Sequence, residues 1–315
     1  MDFFSSETIT KTEYDEIISQ FLHDMDFKMP SHEPDPAIQA RALQHFSIQP
    51  NWPPHLKEKA LLATAYIAPG VALCSPSAPF ETRLMYGIHA SYVLFIDDIS
   101  HDLGTALNEF EPRLVAGQEQ KSPILQSFVN FQLSNRKHLG AYGASINTKS
   151  TIEFINGLIL EQMYDGKVTA PRGVLSFPRY LREKTGFSEP YAHFVFPEAL
   201  FPEKKYLPVY LPILQALTDF INYTNDITSF YKESIVGCER FNYIYNIAST
   251  RGLSIGEALK LVCDDVVANV QVIRRVLMGH PEMLKVAEEF FQEYVAFHLR
   301  QPRYMMANSE GVRKR

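Results

Sequence analysis

An all-α fold is predicted for this chain, and three observations carry the prediction. From about Lys57 onward apolar residues recur at three- and four-residue steps, as in Met283, Val286, Phe290, Tyr294 and Phe297, which is the helical period. Strand signals are few, and the β-rich run from Tyr92 to Ile96 continues a helical pattern that starts near Pro79. Helix ends are marked late in the chain. Ser254 to Glu257 reads as a capping box, Gly279 as a C-terminal cap and Pro281 as a restart, which predicts a helix over 254–278.

Taken in order, residues 1–55 are interrupted by Pro30, Pro34, Pro36, Pro50, Pro53 and Pro54, so short helices and connections are expected there and function elsewhere. The helix from Pro79 runs to a carboxylate cluster, and another is expected over 211–233. Residues 306–315 read as a frayed tail on a divergent-headed but single domain, 1–315. Apolar residues make up 46% of the chain, with 22 Phe and 16 Tyr, enough aromatic surface to pack a large interior or to hold an apolar guest.

Several classes are excluded. A net charge of −6 and a pI near 5.9 leave no basic footprint for nucleic acid. Cys74, Cys238 and Cys263 match no metal or redox spacing and are expected to be reduced. The acidic start carries no secretion signal, and the longest apolar stretch, Ala60 to Cys74, falls short of the roughly 20 residues of a membrane span. A cytoplasmic protein without stable membrane insertion is expected.

Two polar features interrupt the apolar helices. Nearly every residue from Leu84 to Ile96 is apolar, and the helix then runs into Asp97 and Asp98, with Asp102 further on in FIDDISHD. Adjacent carboxylates repel each other and favour a bound cation, for which Mg²⁺ is the natural candidate. An Asp pair alone more often opens a solvated loop, as Asp264 and Asp265 are expected to form a solvated helix face. In the second feature, Asn225, Ser229 and Glu233 stand four residues apart, so a helix puts their oxygens on one face. That oxygen-only set suits Mg²⁺, and Lys232, about 20° from Asn225 on the helical wheel, could hold an anion beside it.

The string Asn225-Asp226-Ile227-Thr228-Ser229-Phe230-Tyr231-Lys232-Glu233 resembles the second metal motif of the class I terpene synthases, (N/D)Dxx(S/T)xx(K/R)(D/E), and is most similar to the fungal trichodiene synthase family. The resemblance extends over about 80–305, through STIEFINGLILEQ, YLREKTG and the pair Arg303-Tyr304. It implies a helical bundle around a central apolar cavity and a homodimer. It also implies three Mg²⁺, bridged by Asp97 and chelated by Asn225, Ser229 and Glu233, with Asp98, Asp102 and Asp226 in support.

Arg182, with the helix break at Gly186 behind it, matches the family's diphosphate-sensing arginine; Lys232, Arg303 and Tyr304 match its other diphosphate donors. Asp98 is expected to pair with Arg303 on closure of the site. The first motif, DDISHD, departs from the common DDxxD, which leaves the part played by Asp102 open. Phe95, Phe154 and Phe297 are candidate cavity walls, with plain core packing an equal alternative for each.

The implied reaction is ionisation of farnesyl diphosphate and cyclisation of the carbocation to a terpene hydrocarbon or alcohol. Geranylgeranyl diphosphate is the alternative substrate. A chain-elongating prenyltransferase fits less well, because it carries two aspartate-rich motifs. A noncatalytic isoprenoid binder has no use for clustered carboxylates.

Overall fold

The computed structural model describes residues 8–164, 168 and 170–306, and among them there are helices and no strand. Several helices start where the sequence offers a cap or a proline. Thr10 accepts the Glu13 amide at the start of α1 (Lys11–Asp24), and Asp35 accepts the Ala37 amide at the start of α2 (Pro36–Ser47). α3 (Pro54–Leu73) and α4 (Phe80–Asp98) follow, and α4 is buried from Leu84 to Ile96 except for a half-exposed Leu94. Short helices α5 (Ser100–Leu103), α6 (Thr105–Asn108) and α7 (Phe110–Val115) then lead to α8 (Pro123–Asn135) and α9 (Ala141–Tyr164).

The second half contains α10 (Phe177–Thr185), α11 (Ser188–Phe194), α12 (Glu203–Tyr210), α13 (Leu214–Phe230), α14 (Tyr243–Arg251), α15 (Ile255–Leu277) and α16 (Pro281–Arg300). The capping box at Ser254 and Glu257 forms, with each satisfying a backbone amide of the other. Gly279 does not cap that helix as expected. α15 ends on Met278 in a right-handed conformation, and the left-handed glycine cap occurs instead at Gly252, φ 69°, behind α14.

The helix expected over 211–233 has irregular ends. Leu211–Ile213, which contains Pro212, is a 3₁₀ turn, and Tyr231–Val236 is a π-helix. Met306, assigned to a frayed tail, is fully buried and lies 3.3 Å from the Tyr14 hydroxyl; residues 307–315 fall outside the described residues.

Apolar side chains form two cores. One gathers residues of α1, α13, α15 and α16, with Tyr14, Phe220, Phe230 and Phe291 fully buried. The other gathers α2, α3, α4 and α8 around Phe46, Tyr92, Phe110 and Phe128. Val71 and Tyr191 pack against both. Each core therefore supplies one of the two polar motifs, α4 from the second and α13 from the first. No helix among the described residues is long and apolar enough to cross a membrane.

Candidate active site

The α4 helix delivers Asp97 and Asp98 at its C-terminal end, where both side chains are exposed. Asp97 makes no hydrogen bond among the described residues. Protein nevertheless surrounds the space it faces, and desolvation, then the neighbouring Asp98, pushes its carboxyl up; Arg303, Lys232 and Arg182 act against that shift. Two like charges at the end of an apolar helix, within reach of three cations, make a site that gains from a bound cation. Asp102, on α5, is exposed with no side-chain hydrogen bond among the described residues, and His101 beside it is also exposed.

On α13 the second motif is wired to its neighbours. The Ser229 hydroxyl donates to Glu233 at 3.0 Å, so these two side chains meet across the α-to-π junction. Lys232 lies 3.4 Å from the same carboxylate. Asn225 uses both ends of its amide: Nδ2 donates to Tyr304 Oη at 3.2 Å and lies 3.3 Å from His298 Nε2, while Oδ1 sits 3.4 Å from Arg182.

Arg182 reaches the motif from the last turn of α10. Its Nε donates to both oxygens of Asp226, at 2.8 and 2.9 Å. Burial pushes the Asp226 carboxyl up to about 6 even so, while the same contact holds Arg182 more firmly charged; at neutral pH the short bidentate contact is an ion pair. Gly186 ends α10 and lets the arginine fold back, because a Cβ there would lie 2.5 Å from its Nη1 and 2.9 Å from Asn222 Oδ1.

The late Arg-Tyr pair spans the two motifs. Arg303 donates to both oxygens of Asp98, at 3.1 and 3.3 Å, and the next residue, Tyr304, contacts Asn225. Tyr304 is buried, and desolvation pushes its hydroxyl up to about 12, so it remains a neutral donor. Arg182, Lys232, Arg303 and Tyr304 thus each contact a residue of one of the two polar motifs.

The aromatic candidates divide. Phe95 is two positions, or 200°, from Asp97 around α4 and stacks on Trp52 with centroids 5.7 Å apart, so it packs within the second core on the side of the helix away from Asp97. Phe154 is buried edge-on to Phe187, next to the Gly186 break. Phe297 edges Tyr304 at 6.3 Å and crowds Gly70 of α3. Sequence reasoning missed His298 and Tyr14. His298 is merely the residue after Phe297 on an apolar face, and Tyr14 lies in a segment with no motif; neither position carries a signal in the sequence.

The trichodiene synthase (TRI5) family model matches residues 45–311. The chain belongs to the trichodiene synthase family. Among its family relatives, it is 32% identical to the (E)-beta farnesene synthase of Metarhizium brunneum, covering 95% of this chain and 90% of that one. It is 30% identical to monoterpene synthase 25 of Postia placenta, covering 94% and 86%, and 24% identical to the trichodiene synthase of Trichoderma arundinaceum, covering 84% and 69%. In structure it is similar to the linalool/nerolidol synthase of Streptomyces clavuligerus, with a TM-score of 0.66, 15% identity and coverage of 86% and 99%. The fold is thus the class I helical fold and the chain is a terpene synthase.

The trichodiene synthase family generally uses Mg²⁺, and the donor set here fits it. Among the described residues no group of three or more His, Cys, Asp or Glu converges as a metal cage. The available donors are the Asn225 amide, the Ser229 hydroxyl and the carboxylates of Glu233 and Asp97, all oxygen. Mg²⁺ keeps several waters and is bound by one or two carboxylates together with phosphate oxygens, so a sparse oxygen set beside cationic side chains fits it.

Proposed function

We propose that the chain is a Mg²⁺-dependent sesquiterpene cyclase that ionises farnesyl diphosphate, releases diphosphate and closes the cation into a cyclic terpene. The observation that carries the reading is the bridge made by consecutive residues, Arg303 on Asp98 and Tyr304 on Asn225, which joins both carboxylate motifs at a cluster of cationic donors. Farnesyl diphosphate is favoured by the resemblance and by the relative named for a farnesene.

Asp97, Asn225, Ser229 and Glu233 would hold Mg²⁺, which when bound supplies the charge that neutralises the departing diphosphate. Arg182, Lys232 and Arg303 place guanidinium and ammonium donors around the same oxygens, and Tyr304 adds a phenolic hydrogen bond. Asp98 and Asp226 hold Arg303 and Arg182 in place until diphosphate competes for them. That exchange of partners couples substrate arrival to closure over the site and to exclusion of water from the cation.

Purified protein incubated with farnesyl, geranyl and geranylgeranyl diphosphate, each with Mg²⁺ or EDTA, tests the reading by mass spectrometry of the organic extract. A cyclic fifteen-carbon product from farnesyl diphosphate alone, absent with EDTA, is expected. An acyclic product would overturn cyclisation; turnover of another chain length in preference would overturn the substrate; Mg²⁺-independent turnover would overturn the metal assignment.

A further inference from the structure

His298 lies on α16, fully buried, between two tyrosine rings: Tyr294 is edge-on at 4.6 Å and Tyr304 is tilted at 4.6 Å. Its Nδ1 sits 2.8 Å from the carbonyl oxygen of Tyr294, one turn earlier. A carbonyl oxygen can only accept, so Nδ1 carries the proton and the neutral ring presents a bare lone pair at Nε2. That lone pair faces Asn225 at 3.3 Å.

The side-chain amide of Asn225 has two orientations, and its surroundings satisfy only one. With Nδ2 towards α16, its hydrogens meet the His298 lone pair and the Tyr304 hydroxyl, and Oδ1 meets the Arg182 guanidinium. With the amide reversed, an oxygen would face the Nε2 lone pair, and an NH₂ would face the donors of Arg182. Both contacts are repulsive.

We propose that His298 is a positioning residue that fixes the orientation of the Asn225 amide, so that its oxygen rather than its nitrogen is presented to Mg²⁺. Its chain of control runs from the Tyr294 carbonyl through the imidazole tautomer to the ligand atom. The inference rests on the reading of Asn225 as a metal ligand and extends it to a residue outside both motifs. The ring acts through Asn225, the motif residue that its Nε2 contacts.

The test is a Mg²⁺ titration of full-length protein in the presence of inorganic diphosphate, read as the rise in thermal unfolding temperature, for wild type, Asn225→Ala, His298→Phe and His298→Gln. Phenylalanine keeps the ring and removes the acceptor, whereas glutamine can place an oxygen where Nε2 lies. His298→Phe is expected to need about tenfold more Mg²⁺ for the half-maximal rise, with its unfolding temperature in EDTA unchanged, and His298→Gln to stay within about threefold of wild type. A wild-type titration for His298→Phe, or a tenfold loss in folded His298→Gln, would overturn the proposal; if the phenylalanine variant does not fold, His298→Leu, which also removes the acceptor, is read in its place. If Asn225→Ala itself titrates like wild type, the metal reading of Asn225 falls and this inference with it. If Asn225→Ala is weakened and His298→Phe is not, only the role of His298 falls.

Discussion

At the end of α4, Asp97 makes no hydrogen bond among the described residues, whereas on α13 and the π-turn that extends it every proposed ligand already has a partner. Asn225 is held by Arg182, Tyr304 and His298, and Ser229 and Glu233 hold each other. One half of the site is defined by repulsion awaiting a cation, and the other by a hydrogen-bonded frame built before any ligand arrives. The contrast follows from position. α4 simply stops, while α13 is packed along its length against α11, α15 and α16. Preorganised ligands bind with less reordering, so the α13 half is expected to set affinity and the α4 half to respond to it.

The largest effects should be shared by both halves. Chelation of Mg²⁺, Asp97→Ala or Asn225→Ala should each lower turnover by about 10³-fold, read as diphosphate release. A next, smaller effect should separate the halves. Asp226→Ala leaves Arg182 charged and unpaired in a buried setting and should cost about 3 kcal/mol of stability in denaturant unfolding. Asp97→Asn, by contrast, relieves repulsion and should leave stability equal or slightly higher. An equal loss from the two substitutions would break the comparison.

The buried histidines give an intermediate effect that does not depend on the site. Burial holds His89, bonded to Asn147 and Tyr191, down at about 3, and His45, bonded to Tyr92, down at about 4. A lowered folded value means that the unfolded chain takes up protons first, so stability is complete above about 6.5 and falls as pH drops from there towards 4. Unfolding at pH 7 and pH 5 should differ by about 2 kcal/mol from His89 alone, and His89→Gln should remove that share. The smallest stability effect is expected at Asp98. Its ion pair with Arg303 is 47% and 28% exposed, so Asp98→Ala should change stability by less than about 1 kcal/mol.

The second motif and the helix that carries it could be read from the sequence because four-residue spacing has one meaning on a helix, and the capping box at Ser254 because cap chemistry is local. Side chains that act through long-range packing could not. Phe95 precedes Asp97 by only two residues yet stacks on Trp52, since closeness along a helix is not closeness in direction. The Gly279 cap failed because a glycine permits the left-handed conformation without compelling it. The π-turn from Tyr231 to Val236 begins within the motif itself, where the wider winding still brings Glu233 to Ser229; regular helical spacing predicts that meeting but not the change in winding. His298 and Tyr14 acquire their roles only when distant segments meet.

Tyr14 has a further consequence, which concerns time. Its hydroxyl donates to the carbonyl oxygen of Ile227, on the motif helix, and lies against the sulfur of Met306, two residues after Tyr304. At synthesis rates of about 5–20 residues per second, the ribosome makes Tyr14 about 15–60 s before Met306 exists to meet it. The first helix must therefore wait for a segment made 292 residues later before this contact can form.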